Sequence, residues 1–181
     1  MMKPHRLFRC LTNDEVDDIV LSACEDDDLP DKIAGGVLTY QNLTLKRFAK
    51  LAEETRKSYV RRTLRDRRAD DLALFVLSAA LTRAKADLVS AFLDALGLPH
   101  EGPHLSYEGE IPEPGKTVID DAVGALLGKF PERDVALYLN AFAAQPDVHW
   151  KGLDALLAGD PRLKLIENGE PGASRLGTLG S

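Results

Sequence analysis

The residues best suited to chemistry in this chain are cationic. Between Lys46 and Arg68 stand ten basic side chains (Lys46, Arg47, Lys50, Arg56, Lys57, Arg61, Arg62, Arg65, Arg67, Arg68) against three acidic ones (Glu53, Glu54, Asp66), a local balance of +7. The 181-residue chain as a whole carries −6, so everything outside the block sums to −13 and the charge forms a patch. Guanidinium and ammonium groups in such a row can pair with carboxylates or phosphates. The nearest acceptors are in the chain itself. Nine acidic residues, Asp14, Glu15, Asp17, Asp18, Glu25, Asp26, Asp27, Asp28 and Asp31, precede the block with no basic residue among them, and they can fold against it or leave it to solvent. An acidic protein partner is the second acceptor. Nucleic acid is the third, but the chain is acidic overall, no recognition motif accompanies the row, and Tyr59 falls on the apolar side of the predicted helix, away from the charges.

Other candidate groups make weaker constellations. His100 and His104, with Glu101, Glu108 and Glu110, offer nitrogen and oxygen ligands within eleven residues, a set that can hold a divalent cation. Two imidazoles four apart converge on a helix, however, and Pro99 and Pro103 oppose a helix there. No metal site is assigned. Gly115-Lys116-Thr117 has the end of a phosphate-binding loop, yet Glu110 occupies the position of its first glycine and no apolar strand precedes it. Its plainer role is to start a helix, with Thr117 as N-cap and Asp120 and Asp121 in the first turn. No Gly-x-Ser-x-Gly elbow surrounds a serine. The one histidine near a cysteine, His5 before Cys10, falls in a segment expected to be mobile. Asp94 and Asp154 sit in matching Leu-Asp-Ala-Leu segments and would make a carboxylate pair if a cleft brought them together; between apolar helix positions, each is expected to face water. Trp150, the single tryptophan, is expected to anchor the core. No catalytic residue and no cofactor is assigned.

The elements that must position these groups are helices. Thr12 and Glu15 form a capping-box pair that predicts a helix over 13–25. A short helix follows Pro30 to about Tyr40, with Ile33, Val37 and Leu38 inward. Asn42 or Thr44 can start a long helix in which Leu45, Phe48, Ala52, Thr55 and Tyr59 face the core, leaving Lys46, Lys50, Lys57, Arg61 and Arg65 on the outer side. Two helices are predicted over 70–81 and 85–96. Asp71–Val76 matches Asp134–Leu139 at an offset of 63, and Leu93–Leu96 matches Leu153–Leu156 at an offset of 60. Each copy has a further helix before it, Leu43–Arg65 and Val118–Phe130, which suggests two stacked three-helix units. The 19 residues from Gly97 to Gly115 contain four prolines and four glutamates, a length that marks a functional loop or a linker.

Composition sets the remaining limits. An apolar content of 44% is that of a globular protein. Two cysteines, Cys10 and Cys24, make no disulfide framework and fit a reducing compartment. No apolar segment follows the first charged residues. The longest apolar run, Leu72–Leu81, is about half of the roughly 20 residues needed to span a bilayer. The expectation is an all-α cytoplasmic protein of seven to eight helices: an N-terminal unit over 1–96, a loop over 97–116, a C-terminal unit over 117–168 and a flexible tail over 169–181. Its expected role is that of a non-enzymatic interaction or scaffolding module. The contact residues would be Lys46, Lys50, Lys57, Arg61, Arg65 and Arg68, and the partner an acidic protein or a second copy of the chain. The alternatives are nucleic-acid binding through the same face, or a small-molecule or enzyme pocket under the 97–115 loop.

Overall fold

A computed structural model describes residues 2–25, 28–107 and 109–168. The predicted tail over 169–181 lies outside these residues, as do Asp26, Asp27 and Glu108. The fold is all-α. Ten helices are α1 (Pro4–Arg9), α2 (Asn13–Ala23), α3 (Leu29–Tyr40), α4 (Leu45–Ala49), α5 (Glu53–Leu64), α6 (Asp70–Ala84), α7 (Ala86–Leu96), α8 (Lys116–Lys129), α9 (Glu132–Ala143) and α10 (Lys151–Gly159). A two-residue antiparallel hairpin, β1 (His100–Glu101) and β2 (His104–Leu105), interrupts them between α7 and α8. Among the described residues no helix is long and apolar enough to cross a membrane.

Local signals set several boundaries. The Thr12 hydroxyl accepts from the Glu15 amide at 3.2 Å and the Glu15 carboxylate accepts from the Thr12 amide at 2.7 Å, which fixes the start of α2. Helix α7 ends at Gly97, whose φ of 66° is left-handed backbone that glycine enters without a Cβ clash. Thr117 is not the N-cap of α8. Gly115 holds that position and the helix begins at Lys116, where an extended glycine suffices to turn the chain and Lys116 pairs with Asp120 at 3.0 Å.

The predicted long basic helix breaks in two. Thr44 does start it, accepting from the Arg47 amide at 3.3 Å, but α4 stops at Ala49 and the chain restarts from an extended Ala52. The supposed core stripe is largely outside: Leu45 is 65% exposed, and Ala52 and Thr55 are exposed as well. Ala52 to Ser58 offers no large apolar side chain, so burial gives no reason to continue one straight helix. Inward contact comes later, from Thr63 and Leu64 at the end of α5.

The core has a central rod and a buried one. Helix α6 packs against α1, α2, α3, α5, α7 and α9, with Ala73, Val76, Leu77, Ala80 and Leu81 inward. In α9 every residue from Val135 to Ala143 is buried, as befits a helix enclosed on all sides. The matched segments are therefore not equivalent in burial: Phe75 on α6 is 42% exposed, while its counterpart Tyr138 on α9 is 5% exposed. One apolar cluster runs from Leu7 to Leu163. Within it, Phe92 meets Tyr138 and Phe142 edge-on at 5.5 and 5.3 Å, and Phe142 meets Trp150 at 5.2 Å, the geometry that ring quadrupoles favour.

The segment before α2 is ordered and buried, contrary to its expected mobility. Leu7 and Phe8 are fully buried on α1, and the Asp70 carboxylate accepts from the His5 amide at 2.9 Å and lies 2.8 Å from its Nδ1. His5 thus serves the α1–α6 contact, and Cys10 is a buried free thiol that burial keeps protonated by raising its pKa.

Candidate functional site

The basic block meets the α1–α2 turn, and between them lies a groove of about 1040 Å³. Five arginines, Arg9, Arg61, Arg62, Arg65 and Arg67, stand in its walls, with Asp66 and Glu167 as the acidic members. Of the residues named from the sequence, Arg61 and Arg65 line this groove, whereas Lys46, Lys50, Lys57 and Arg68 do not.

Each wall arginine has a different environment. Arg61 reaches across to α2, donating from Nε to Asp17 Oδ1 at 2.8 Å and from Nη2 to Asp17 Oδ2 at 2.9 Å, with Glu54 accepting from Nη2 at 2.7 Å. These bonds, the Asp17 ones foremost, hold its pKa well above the ordinary guanidinium value. Arg61 is thereby neutralised inside the chain. Arg65 is pinned as firmly but by uncharged acceptors: Nε donates to the Phe8 carbonyl at 3.1 Å, Nη2 to the Leu11 carbonyl at 3.0 Å and Nη1 to Asn13 Oδ1 at 2.9 Å. Among the described residues its charge makes no ion pair with a carboxylate. Burial, and then the neighbouring Arg61 charge, lower its pKa from the ordinary value, against the opposing pull of the Asp17 carboxylate. Three of its five N–H donors are used, so two remain for a ligand. Arg62 and Arg67 are exposed, and among the described residues neither side chain makes a hydrogen bond or an ion pair, although the Arg67 charge helps to hold the Asp66 carboxyl down. Arg9 donates to the Arg65 carbonyl at 3.2 Å.

The other expected contact residues have their own arrangements. Lys57 pairs with Glu53 one turn earlier at 3.0 Å. Arg68 closes onto Asp66 at 2.6 Å and onto the Tyr40 carbonyl at 3.3 Å. Lys46 and Lys50 stand exposed on and beside the short α4. From the acidic run, Asp17 answers the basic block, whereas Glu15 is engaged by Arg133 at 2.9 Å and Glu25 by Arg83 at 3.6 Å. Sequence reasoning missed Arg9 because its segment reads as mobile, and left out Arg62 and Arg67 because a straight helix carries them away from the chosen row.

The histidine pair separates. In the β1–β2 register His100 faces Leu105 and Glu101 faces His104, so the two imidazoles belong to opposite faces of the ribbon. His100 is held by the Gly102 carbonyl at 2.7 Å and by Asp94 at 3.0 Å, and these two bonds, in that order, raise its pKa above the ordinary imidazole value. Among the described residues no group of three His, Cys, Asp or Glu side chains could hold a metal ion. Asp94 is exposed on α7 and serves His100; Asp154 is half-buried on α10.

A second concavity lies beneath the 97–115 loop. It has a volume of about 340 Å³ and is bounded by α6, α7, α9 and the segment Pro103–Ile111. Trp150, fully inside as expected, donates from Nε1 to the Ile111 carbonyl at 2.9 Å, and the Ile111 amide donates to the Asp147 carbonyl at 2.9 Å. Both backbone groups of Ile111 are thus tied to the α9–α10 connection, and the loop is held down at its far end.

Comparison of the chain with protein-family models, with curated proteins and with solved structures finds no match.

Proposed function

We propose that this protein is a non-enzymatic interaction module that takes a carboxylate-rich segment of a protein partner into the arginine groove between the α1–α2 turn and α5. The observation that carries this reading is Arg65, which is locked in place by two backbone carbonyls and Asn13 and makes no ion pair among the described residues, the Asp17 carboxylate acting on it only at a distance. A pre-positioned guanidinium loses little side-chain freedom on binding. Arg62 and Arg67 add two charges on the same wall whose side chains make no hydrogen bond or ion pair among the described residues. A carboxylate segment fits better than nucleic acid because, among the described residues, no aromatic side chain stands in the groove wall to stack on bases.

The test is fluorescence anisotropy with a labelled peptide of eight glutamates and, in parallel, a labelled oligothymidine of eight nucleotides at low ionic strength. The peptide is expected to bind, to weaken as salt rises, and to lose affinity by about tenfold or more in an Arg62→Glu, Arg67→Glu double variant, since like charges now face it. The variant should keep its thermal midpoint, because neither residue is paired in the fold. No peptide binding at low salt, unchanged affinity in the double variant, or stronger binding of the oligonucleotide would each overturn the reading.

A further inference from the structure

The β1–β2 hairpin turns through Gly102 and Pro103, and Gly102 has a φ of 56°, backbone that a tight two-residue turn needs and glycine supplies. Its foot closes where the Ser106 amide donates to the Pro99 carbonyl at 2.8 Å. Among the described residues, the polar tie from this hairpin to a helix is His100. Its Nε2 lies 3.0 Å from Asp94 Oδ1 in the last turn of α7, and its Nδ1 lies 2.7 Å from the Gly102 carbonyl. Both neighbours are acceptors. A neutral imidazole carries one N–H, so it donates to the turn or to the helix, and its other nitrogen then points a lone pair at an oxygen. Only the imidazolium satisfies both contacts, and its charge also meets a carboxylate.

Asp94 is the charged group that faces the ring. Glu101, the next residue, and His104 opposite it stand on the other face of the ribbon. The His100 ring is half-buried and Asp94 is exposed, so the pair stays open to proton exchange with solvent. We infer that His100 is a proton-operated latch for this hairpin: protonated, it ties the Gly102 turn to the end of α7, and on losing the proton it gives up one of the two ties and lets the hairpin loosen. The same contacts raise the His100 pKa above the ordinary imidazole value, the Gly102 carbonyl first and Asp94 second, so the docked hairpin holds the proton more tightly than a free one. Docking is favoured in full below the ordinary value, about 6.5, and that advantage is lost as pH rises through the raised one. The latch closes in acid and opens toward alkali. It shares no residue with the arginine groove and operates whether or not that groove binds a partner.

An NMR titration of the whole chain between about pH 5.5 and 8.5, the range in which imidazoles change charge, tests it. The His100 ring carbons give the midpoint. The protection factor of the Ser106 amide, corrected for intrinsic base catalysis, gives the state of the hairpin. The midpoint is expected above the ordinary imidazole value. Ser106 protection should fall at that same midpoint by about threefold to tenfold, the size of one hydrogen bond, while amides of α6 show no step. In Asp94→Asn the midpoint should move down and the step shrink, and in His100→Gln, whose side chain does not titrate, the step should vanish. Four results overturn the inference: a wild-type midpoint at or below the ordinary value, Ser106 protection that is equal on the two sides of it, a step of undiminished size in Asp94→Asn, or a step that survives in His100→Gln.

Discussion

Arg61 on α5 and Asp17 on α2 form a two-pronged ion pair at 2.8 and 2.9 Å across 44 residues of sequence. It joins the acidic run before Asp31 to the basic block after Lys46. A fork of this kind has fixed geometry as well as charge, so it sets the angle at which α5 lies against α2 and with it the shape of the arginine groove. The other block residues make local pairs or none, which leaves the groove cationic.

Replacing Arg61 with Met is therefore expected to destabilise the fold by about 1–2 kcal/mol, between the value of an exposed pair and that of a charge-assisted hydrogen bond. Asp17→Asn should cost a similar amount, and the double variant should cost clearly less than the sum. Urea denaturation of the four proteins checks the coupling.

Asp66 gives a pH signature. Hydrogen bonds from the Arg68 side chain and then from its backbone amide hold the Asp66 carboxyl down at about 2. A depressed carboxylate contributes stability that is present above its unfolded value and is lost as pH falls through about 2. The contribution is modest because the pair is exposed. In Arg68→Ala the carboxyl should titrate closer to its ordinary value, while the backbone bond keeps part of the depression. A carbon-detected NMR titration of Asp66 in both proteins reads this directly.

Trp150→Phe keeps an aromatic ring against Phe142 but removes the donor to the Ile111 carbonyl. The buried acceptor is left unsatisfied, at about 1–3 kcal/mol. The loss should concentrate in the loop: amide exchange at Ile111 and Leu105 is expected to quicken more than exchange within α6. Equal acceleration across the molecule would show that Trp150 supports the core and not the roof.

Much of the helical plan was legible. The Thr12–Glu15 box marks α2 because both partners lie within one turn, and the end of α7 follows from Gly97, which takes left-handed backbone; the break at Lys85 has no such local sign. Periodicity failed where there was little to bury. The stripe from Leu45 to Tyr59 has helical spacing, yet only Phe48 and Tyr59 in it are even half-buried, because the neighbours that decide burial are distant in sequence. Helix α1 is six residues long, too short to show a period. The arginine groove depends on the meeting of the α1–α2 turn with α5, and the concavity under the 97–115 loop depends on α9 facing a segment some thirty residues earlier. Neither relation leaves a local pattern; the length of the 97–115 loop was the only sequence sign of the second.

The burial of α1 has a consequence for the order of synthesis. Leu7 and Phe8 are made before the helices that cover them: α1 packs on α6 and α9, the Cys10 carbonyl waits for Arg133, and the Arg9 carbonyl accepts from the Asn168 amide at 2.9 Å. Until α9 has left the ribosome, these two apolar side chains lack their final cover. The nascent chain must carry them without that cover, or shielded by a chaperone, while the residues between α1 and α9 are made, and changes that delay or block the pairing of Arg9 with Asn168 should lower soluble yield more than changes elsewhere on the surface.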